Sequence, residues 1–271
     1  MNMKKTVLIL GAILSFILFK PAEAQESGGS DAAELAKKLS NPIASLISVP
    51  FQNNTDWGIG PYGGSRNTLN IQPVVPLSLT DDINLIVRWV QPVISQYNIT
   101  GMGEHESGFG DAVVSAFFSP KASKGGVTLG VGPVFLVPTA TNDFLGTKKF
   151  GVGPTAVGLI QANGMTIGAL LNQVWSIAGD SDRSSVSSMF FQPFFTYNWK
   201  SGAGIGANFE ITQNWKGNTT TVWMNPVMTA VTSLGKQKTQ FLFGPRINLA
   251  APSGGKADFG VRAGVVFLFP K

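Results

Sequence analysis

The sequence predicts an all-β fold, a transmembrane antiparallel up-and-down β-barrel of about twelve strands, preceded by a short N-terminal periplasmic helix. Three observations lead there. Charged residues make up only 13% of the 271-residue chain, against about 25% in soluble domains. The mean hydropathy is positive, +0.17, yet beyond Phe19 no apolar run approaches the roughly 20 residues of a membrane helix. Segments of alternating polarity are joined in turn by short connections and by longer, more polar ones. In a membrane barrel lipid-facing and lumen-facing side chains alternate, so apolar bulk accumulates without any long apolar run.

The chain opens with an export pattern. Lys4 and Lys5 precede the apolar stretch Val7 to Phe19, and Ala22-Glu23-Ala24 supplies the small-x-small signature of a cleavage site. Residues 1–24 are therefore expected to be a signal peptide, with an uncleaved anchor as the alternative. Without Lys4, Lys5, Lys20 and Glu23, 17 basic and 14 acidic residues remain, a net charge of +3. That excess is too mild and scattered for a nucleic acid partner. Cysteine is absent, which excludes disulfides and thiolate metal sites. Residues 25–42 form an N-terminal periplasmic segment. In it Asp31–Leu39 reads as one or two helical turns, with Leu35 and Leu39 on one face and Asn41-Pro42 as the stop. The segment is either a periplasmic tail or an element that enters the barrel mouth.

The barrel domain is expected over residues 43–271. Its strands are predicted at Ile43–Phe51, Arg66–Leu79, Ile83–Gln96, Phe109–Lys121, Val127–Pro138 and Phe150–Ala162. Six more follow at Met165–Ala178, Val186–Trp199, Ala203–Gln213, Thr219–Leu234, Thr239–Ala251 and Ala257–Phe269. Short turns at Thr80–Asp82, Ala122–Gly126, Asn163–Gly164, Lys200–Gly202 and Gly235–Lys238 alternate with longer loops at Gln52–Ser65, Tyr97–Gly108, Thr139–Lys149, Gly179–Ser185, Asn214–Asn218 and Pro252–Lys256. Short periplasmic turns and long outer loops are the outer-membrane pattern. The even strand number puts both termini on the periplasmic side, with the first strand closing on the last.

Within strands the faces separate. Phe259, Val261, Ala263, Val265, Phe267 and Phe269 oppose Asp258, Gly260, Arg262 and Gly264, so one face suits lipid and the other a wet lumen. Trp175, Trp215 and Trp223 fall near outer loops and Trp199 near a periplasmic turn, where aromatic girdles belong. Pro73, Pro92, Pro133, Pro154, Pro193, Pro226 and Pro245 lie inside predicted strands, each after Gln, Gly or Asn. A proline removes a ladder donor and a closed barrel has no edge to hide it on, so a bulge is expected at each.

Several stretches carry a family resemblance. They are NPIASLISVPF (Asn41–Phe51), IQPVVPLSLTDDINLIVRWVQ (Ile71–Gln91), SGFGDAVVSAFFSPK (Ser107–Lys121), GVGPVFLVPTATNDFLGTKKFGVGPTAVG (Gly130–Gly158), LNQVWSIAGDSD (Leu171–Asp182) and the closing FLFPK (Phe267–Lys271). The chain resembles, over nearly all its mature length, the outer-membrane transporter family often labelled "neuromedin U", related to the phenol-degradation MetA group. The resemblance implies an outer-membrane channel or transporter, with no fixed substrate and no catalytic motif to carry over. The chain ends Phe269-Pro270-Lys271, so Phe269 would signal insertion to the barrel-assembly machinery from two residues in.

Enzyme signals are sparse, and no catalytic residue, metal ligand or cofactor is assigned. His105 is the sole histidine, which excludes a His-rich metal centre. Gly58-Ile59-Gly60 and Gly101-Met102-Gly103 open no helix after a strand, so they bind no dinucleotide. His105-Glu106-Ser107 resembles the His-x-Ser pair of outer-membrane phospholipases, but it falls in a predicted loop with no orienting Asn or Asp in view. The lumen is richer. Alternation points Arg88, Arg246, Arg262 and Glu210 inward at similar height, a charged belt that would tune which solutes pass or would merely fill the barrel with salt bridges. Asn70, Gln72, Asn84, Asn208, Asn225 and Asn248 extend the lining. Arg246 and Arg262 are expected nearly opposite each other, compensated by Glu210 or by an anion. Three functions follow: a channel for small, hydrophobic or acidic solutes; a structural or surface-binding barrel with a blocked lumen; and a lipid hydrolase. The partners implied are outer-membrane lipid and a small-molecule solute.

Overall fold

The computed structural model describes residues 26–122 and 125–269; the expected signal peptide and the final Pro270-Lys271 lie outside them. Helix α1 (Glu26–Leu39) leads into a run of twelve antiparallel strands. They are β1 (Ile47–Ile59), β2 (Gly64–Ile71, resuming at Val74–Ser78), β3 (Ile83–Tyr97), β4 (His105–Phe109, resuming at Ala112–Pro120), β5 (Val127–Val137) and β6 (Lys149–Ala162). The rest are β7 (Met165–Gly179), β8 (Ser187–Asn198), β9 (Ala203–Asn214), β10 (Thr219–Leu234), β11 (Gln237–Ala250) and β12 (Phe259–Phe269). Each strand pairs with the next, and β1 pairs with β12 from Ile47↔Phe269 to Trp57↔Phe259, closing the barrel.

The exterior is apolar because nothing but lipid need meet it. Leu77, Leu129, Val131, Ile167, Met228 and Phe243 all stand exposed on it. Trp57, Trp175 and Trp215 near the outer loops and Trp199 near a periplasmic turn are exposed too, as interfacial aromatics should be. Trp223 is a correction: it pairs with the inward-facing Glu210 and lies two residues from the buried, inward-facing Asn225, so alternation turns its indole into the lumen, against Arg246.

The first strand also differs from expectation. It runs Ile47–Ile59 rather than Ile43–Phe51, and the stretch Gln52–Ile59, read as loop, is strand. Of its outward side chains, Asn53 and Thr55 are polar and are satisfied across β1 and β2 by Asn67, while Trp57 is apolar and exposed. Asn53 Nδ2 donates to Asn67 Oδ1 at 3.0 Å, while Asn67 Nδ2 donates to Asn53 Oδ1 at 2.9 Å and to Thr55 Oγ1 at 2.7 Å. Likewise His105–Gly108, read as loop, belongs with Phe109 to the first part of β4.

The prolines do not make the expected bulges. Pairing keeps its register across Pro154 (Val152↔Trp175, then Thr155↔Asn172), Pro193 (Phe191↔Ile211, then Phe194↔Asn208) and Pro226 with Pro245 (Met224↔Ile247, then Met228↔Phe243). The ladder is skipped for a step instead. Pro92 alone has an extra residue opposite it, since pairing passes from Val90↔Val113 to Val93↔Phe109 at Gly110-Asp111. Where Gly precedes Pro, the neighbouring strand's carbonyl presses against the glycine: Gln173 O against Gly153, Ala116 O against Gly132 and Pro226 O against Gly244. The proline offers that oxygen no N–H, and the missing Cβ makes the close approach possible.

The N-terminal segment lies in the periplasmic mouth. Leu35, Ala36 and Leu46 are buried against Val231, Val266 and Leu268 from β10 and β12. Ile43, 3% exposed, joins Val74, Ile86, Phe117, Val157 and Leu170 on the inner wall. Gln161 Nε2 donates to Lys37 O at 2.8 Å, and Asn198 Nδ2 to Ser40 Oγ at 2.8 Å. Of the two readings of this segment, entry into the mouth is the one observed.

Gly153→Ala and Gly244→Ala are each expected to cost about 1–3 kcal/mol. The measurement is urea unfolding in detergent followed by tryptophan fluorescence, with Gly158→Ala, where an added methyl group would meet only the end of the Leu129 side chain, as the comparison.

Candidate functional site

The sheet register builds a charge network on the lumen face. Asp56 of β1 and Arg246 of β11 each pair with Gly260 of the intervening β12. A Cβ at Gly260 would collide with the Asp56 carboxylate, so glycine is what lets the two side chains meet over the strand between them. Arg246 Nε donates to Asp56 Oδ1 at 2.9 Å. Its Nη1 donates to Asn225 Oδ1 at 3.1 Å and to Glu210 Oε2 at 3.4 Å, and its guanidinium sits 4.3 Å from the Trp223 ring centre. Arg262 donates from Nη2 to Glu210 Oε1 at 2.7 Å and from Nε to Asn54 Oδ1 at 2.8 Å. Asn225 Nδ2 in turn donates to Asn208 Oδ1 at 2.9 Å.

Arg246, Arg262, Glu210, Asn208 and Asn225 are therefore brought together. Arg88 is not part of this ion-paired group: its Nη2 donates to Gln72 Oε1 at 2.7 Å. Arg246 and Arg262 do not face each other as expected. Arg246 pairs with Gly260 and Arg262 with Gly244, a diagonal offset that eases the repulsion while Asp56 and Glu210 supply opposite charge. Asn84 donates to Ser45 Oγ at 2.8 Å and so ties β3 to the N-terminal segment. Asn248 braces the backbone, donating to Val222 O and Ala250 O and accepting from Ala257 N. Asn70 pairs with Gln52 and Pro92 on the same face.

Two cavities flank the network. The outer one, about 510 Å3, is lined by Asp56, Arg66, Trp223, Arg246 and Asn248 and roofed by the 251–255 loop. The inner one, about 200 Å3, lies between the N-terminal segment and Gln72, Arg88 and Gln240. Among the described residues neither Arg66 nor Arg88 makes a salt bridge.

Asp56, Asn54, Arg66 and Trp223 escaped the sequence reading. Gln52–Ser65 is polar on both faces of its strand, so no alternation marked it. The usable signal was charge: inward arginines in an apolar barrel require carboxylates, and Asp56 was at hand.

His105 Nε2 lies 3.2 Å from Ser95 Oγ, not against Ser107, and Ser107 stands opposite Ser95 in register. The side chain between them, Glu106, turns inward and is buried. Among the described residues no carboxylate or amide bonds to His105.

No protein-family profile matches the chain, and no curated protein sequence does. Among solved structures, the COG4313 outer membrane channel from Pseudomonas putida F1 is similar in fold, with a TM-score of 0.66 and 16% identity over 83% of this chain and 94% of that one. Outer membrane phospholipase A from Escherichia coli aligns at a TM-score of 0.47, 12% identity, over 89% and 98%. The first of these likenesses shows the fold, an outer-membrane-type barrel.

Asp56→Ala is expected to cost on the order of 3 kcal/mol, because Arg246 would keep a buried charge with its nearest partner gone. Asp56→Ala combined with Arg246→Met should recover much of that loss in the same urea titration.

Proposed function

We propose that the protein is an outer-membrane channel for small solutes, with a lumen that favours acidic or electron-rich ones. The observation that supports this is the pair of arginines, Arg66 and Arg88, that line cavities on either side of an ion-paired network without a carboxylate of their own. Charged groups at a constriction set which solutes pass, and twelve strands fall between barrels filled by side chains and barrels with open pores. The paired Asp56, Arg246, Glu210 and Arg262 form the constriction. Lipid meets the apolar exterior, and Phe269 serves as the signal read by the barrel-assembly machinery.

One observation favours the second reading, a barrel with a blocked lumen: the N-terminal segment seats Ile43 and Leu35 inside the periplasmic mouth. The hydrolase reading has less support, because His105 bonds to Ser95 with nothing to orient its ring.

Planar bilayers separate these readings. Removal of residues 26–46, which takes out Leu35, Ile43 and Leu46 and stops short of the first strand, is expected to raise ion conductance several-fold. Under a salt gradient, Arg88→Gln, which orphans no carboxylate, is expected to move the reversal potential toward cations, and Arg246→Gln with Arg262→Gln further still, because the fixed field loses positive charge. A barrel that stays silent with and without the segment has a blocked lumen. Phospholipid hydrolysis abolished by Ser95→Ala or Ser107→Ala would restore the hydrolase.

A further inference from the structure

We infer that the outer cavity is a binding site for a small carboxylate with an apolar body, anchored by Arg66; this deepens the channel reading and rests on it for its purpose. The cavity's volume of about 510 Å3 lies within the roughly 300–1,000 Å3 typical of small-molecule sites.

The anchor follows from register. Asp56 stands directly opposite Arg66 on the neighbouring strand, the natural position for a cross-strand ion pair. Its carboxylate instead goes to Arg246, at 2.9 Å, an arrangement 9% and 6% exposed on the two side chains. Arg66 keeps a neutral partner, its Nε donating to Gln96 Oε1 at 2.9 Å. That amide is itself held by Glu106, since Gln96 Nε2 donates to Glu106 Oε2 at 3.0 Å, and Thr100 occupies the other Glu106 oxygen. The nearby carboxylates are thus committed, and the bond at Nε fixes the plane of the guanidinium. Among the described residues its two Nη groups have no hydrogen-bond partner in the protein, and the residue lines the cavity. A guanidinium held by one edge with its fork free matches a carboxylate in two parallel bonds.

The remaining wall selects the body of the ligand. Ile59, Pro61, Ile99 and Trp223 give an apolar surface, and Thr68 and Thr221 add two hydroxyls. A bare inorganic anion would leave that surface against water, and a cation would meet Arg66 and Arg246 against one carboxylate, Asp56, which Arg246 already holds. A compact carboxylate uses both parts.

The test is calorimetric titration of the full-length protein in lipid nanodiscs with benzoate, and with benzyl alcohol and benzylamine as neutral and cationic counterparts. Benzoate is expected to bind wild type and Lys200→Gln, which removes a charge from an exposed turn, alike, and roughly ten-fold or more weaker to Arg66→Gln, the loss of a charged hydrogen bond. Benzyl alcohol and benzylamine should bind wild type at least that much more weakly than benzoate. Should Arg66→Gln fail to fold, Thr68→Glu places a competing carboxylate in the same cavity and should also abolish benzoate binding. No benzoate binding, equal binding of benzyl alcohol, or undiminished binding by folded Arg66→Gln or Thr68→Glu overturns the site. Binding is read without conduction. A silent barrel that binds benzoate through Arg66 removes the channel and keeps the site, whereas a conducting barrel that does not bind removes the site alone.

Discussion

Closure is the constraint on which everything else in this molecule depends. In hydrocarbon no water pairs a backbone N–H or C=O, so the sheet must satisfy its own groups and leave no edge. The β1–β12 ladder, eleven consecutive pairs from Ile47↔Phe269 to Trp57↔Phe259, does this. The prolines are tolerated within the same constraint. All but Pro92 leave the register undisplaced, and the glycine before three of them lets the deprived carbonyl close in. Where the register is kept, the cross-strand partners on the lumen face stay aligned on both sides of the proline.

Once the exterior supplies the apolar surface that lipid requires, the interior is free to divide. On the β3 to β7 side Ile86, Phe117, Val157 and Leu170 face inward and create the seat for Ile43. Opposite, on β1 and β9 to β12, the wall carries the carboxylates and arginines of the network. The N-terminal segment spans both halves: Ile43 seats on the apolar wall of β3 to β7, and Leu35, Ala36 and Leu46 pack on Val231, Val266 and Leu268 at the periplasmic ends of β10 and β12.

The network is asymmetric in a way that matters. Two carboxylates, Asp56 and Glu210, are shared by Arg246 and Arg262, and Asp56 is drawn away from the arginine directly opposite it. A buried ion pair brings little net stability but is costly to break. Its effect here is to fix which charges are spent, leaving Arg66 and Arg88 with neutral partners.

Strand number, the turn-and-loop alternation, the apolar exterior and the inward direction of Arg246, Arg262 and Glu210 were all determined by the sequence alone. The reason is that a period of two with one lipid-facing side is a local signal, readable strand by strand. The rest was decided only in three dimensions. The segment Gln52–Ile59 is strand despite polar faces on both sides, because Asn53, Thr55 and Asn67 pair outward and Asp56 pairs inward, and neither partnership shows in hydropathy. The bond between Asp56 and Arg246 joins residues 190 positions apart and exists because the closing strand puts a glycine between them. The place of Trp223 was decided by its contact with Arg246 inside the lumen, because nearness to an outer loop suits an interfacial indole equally well. Whether α1 hung free or filled the mouth turned on which inner walls were apolar, and that depends on how twelve strands close rather than on any one of them.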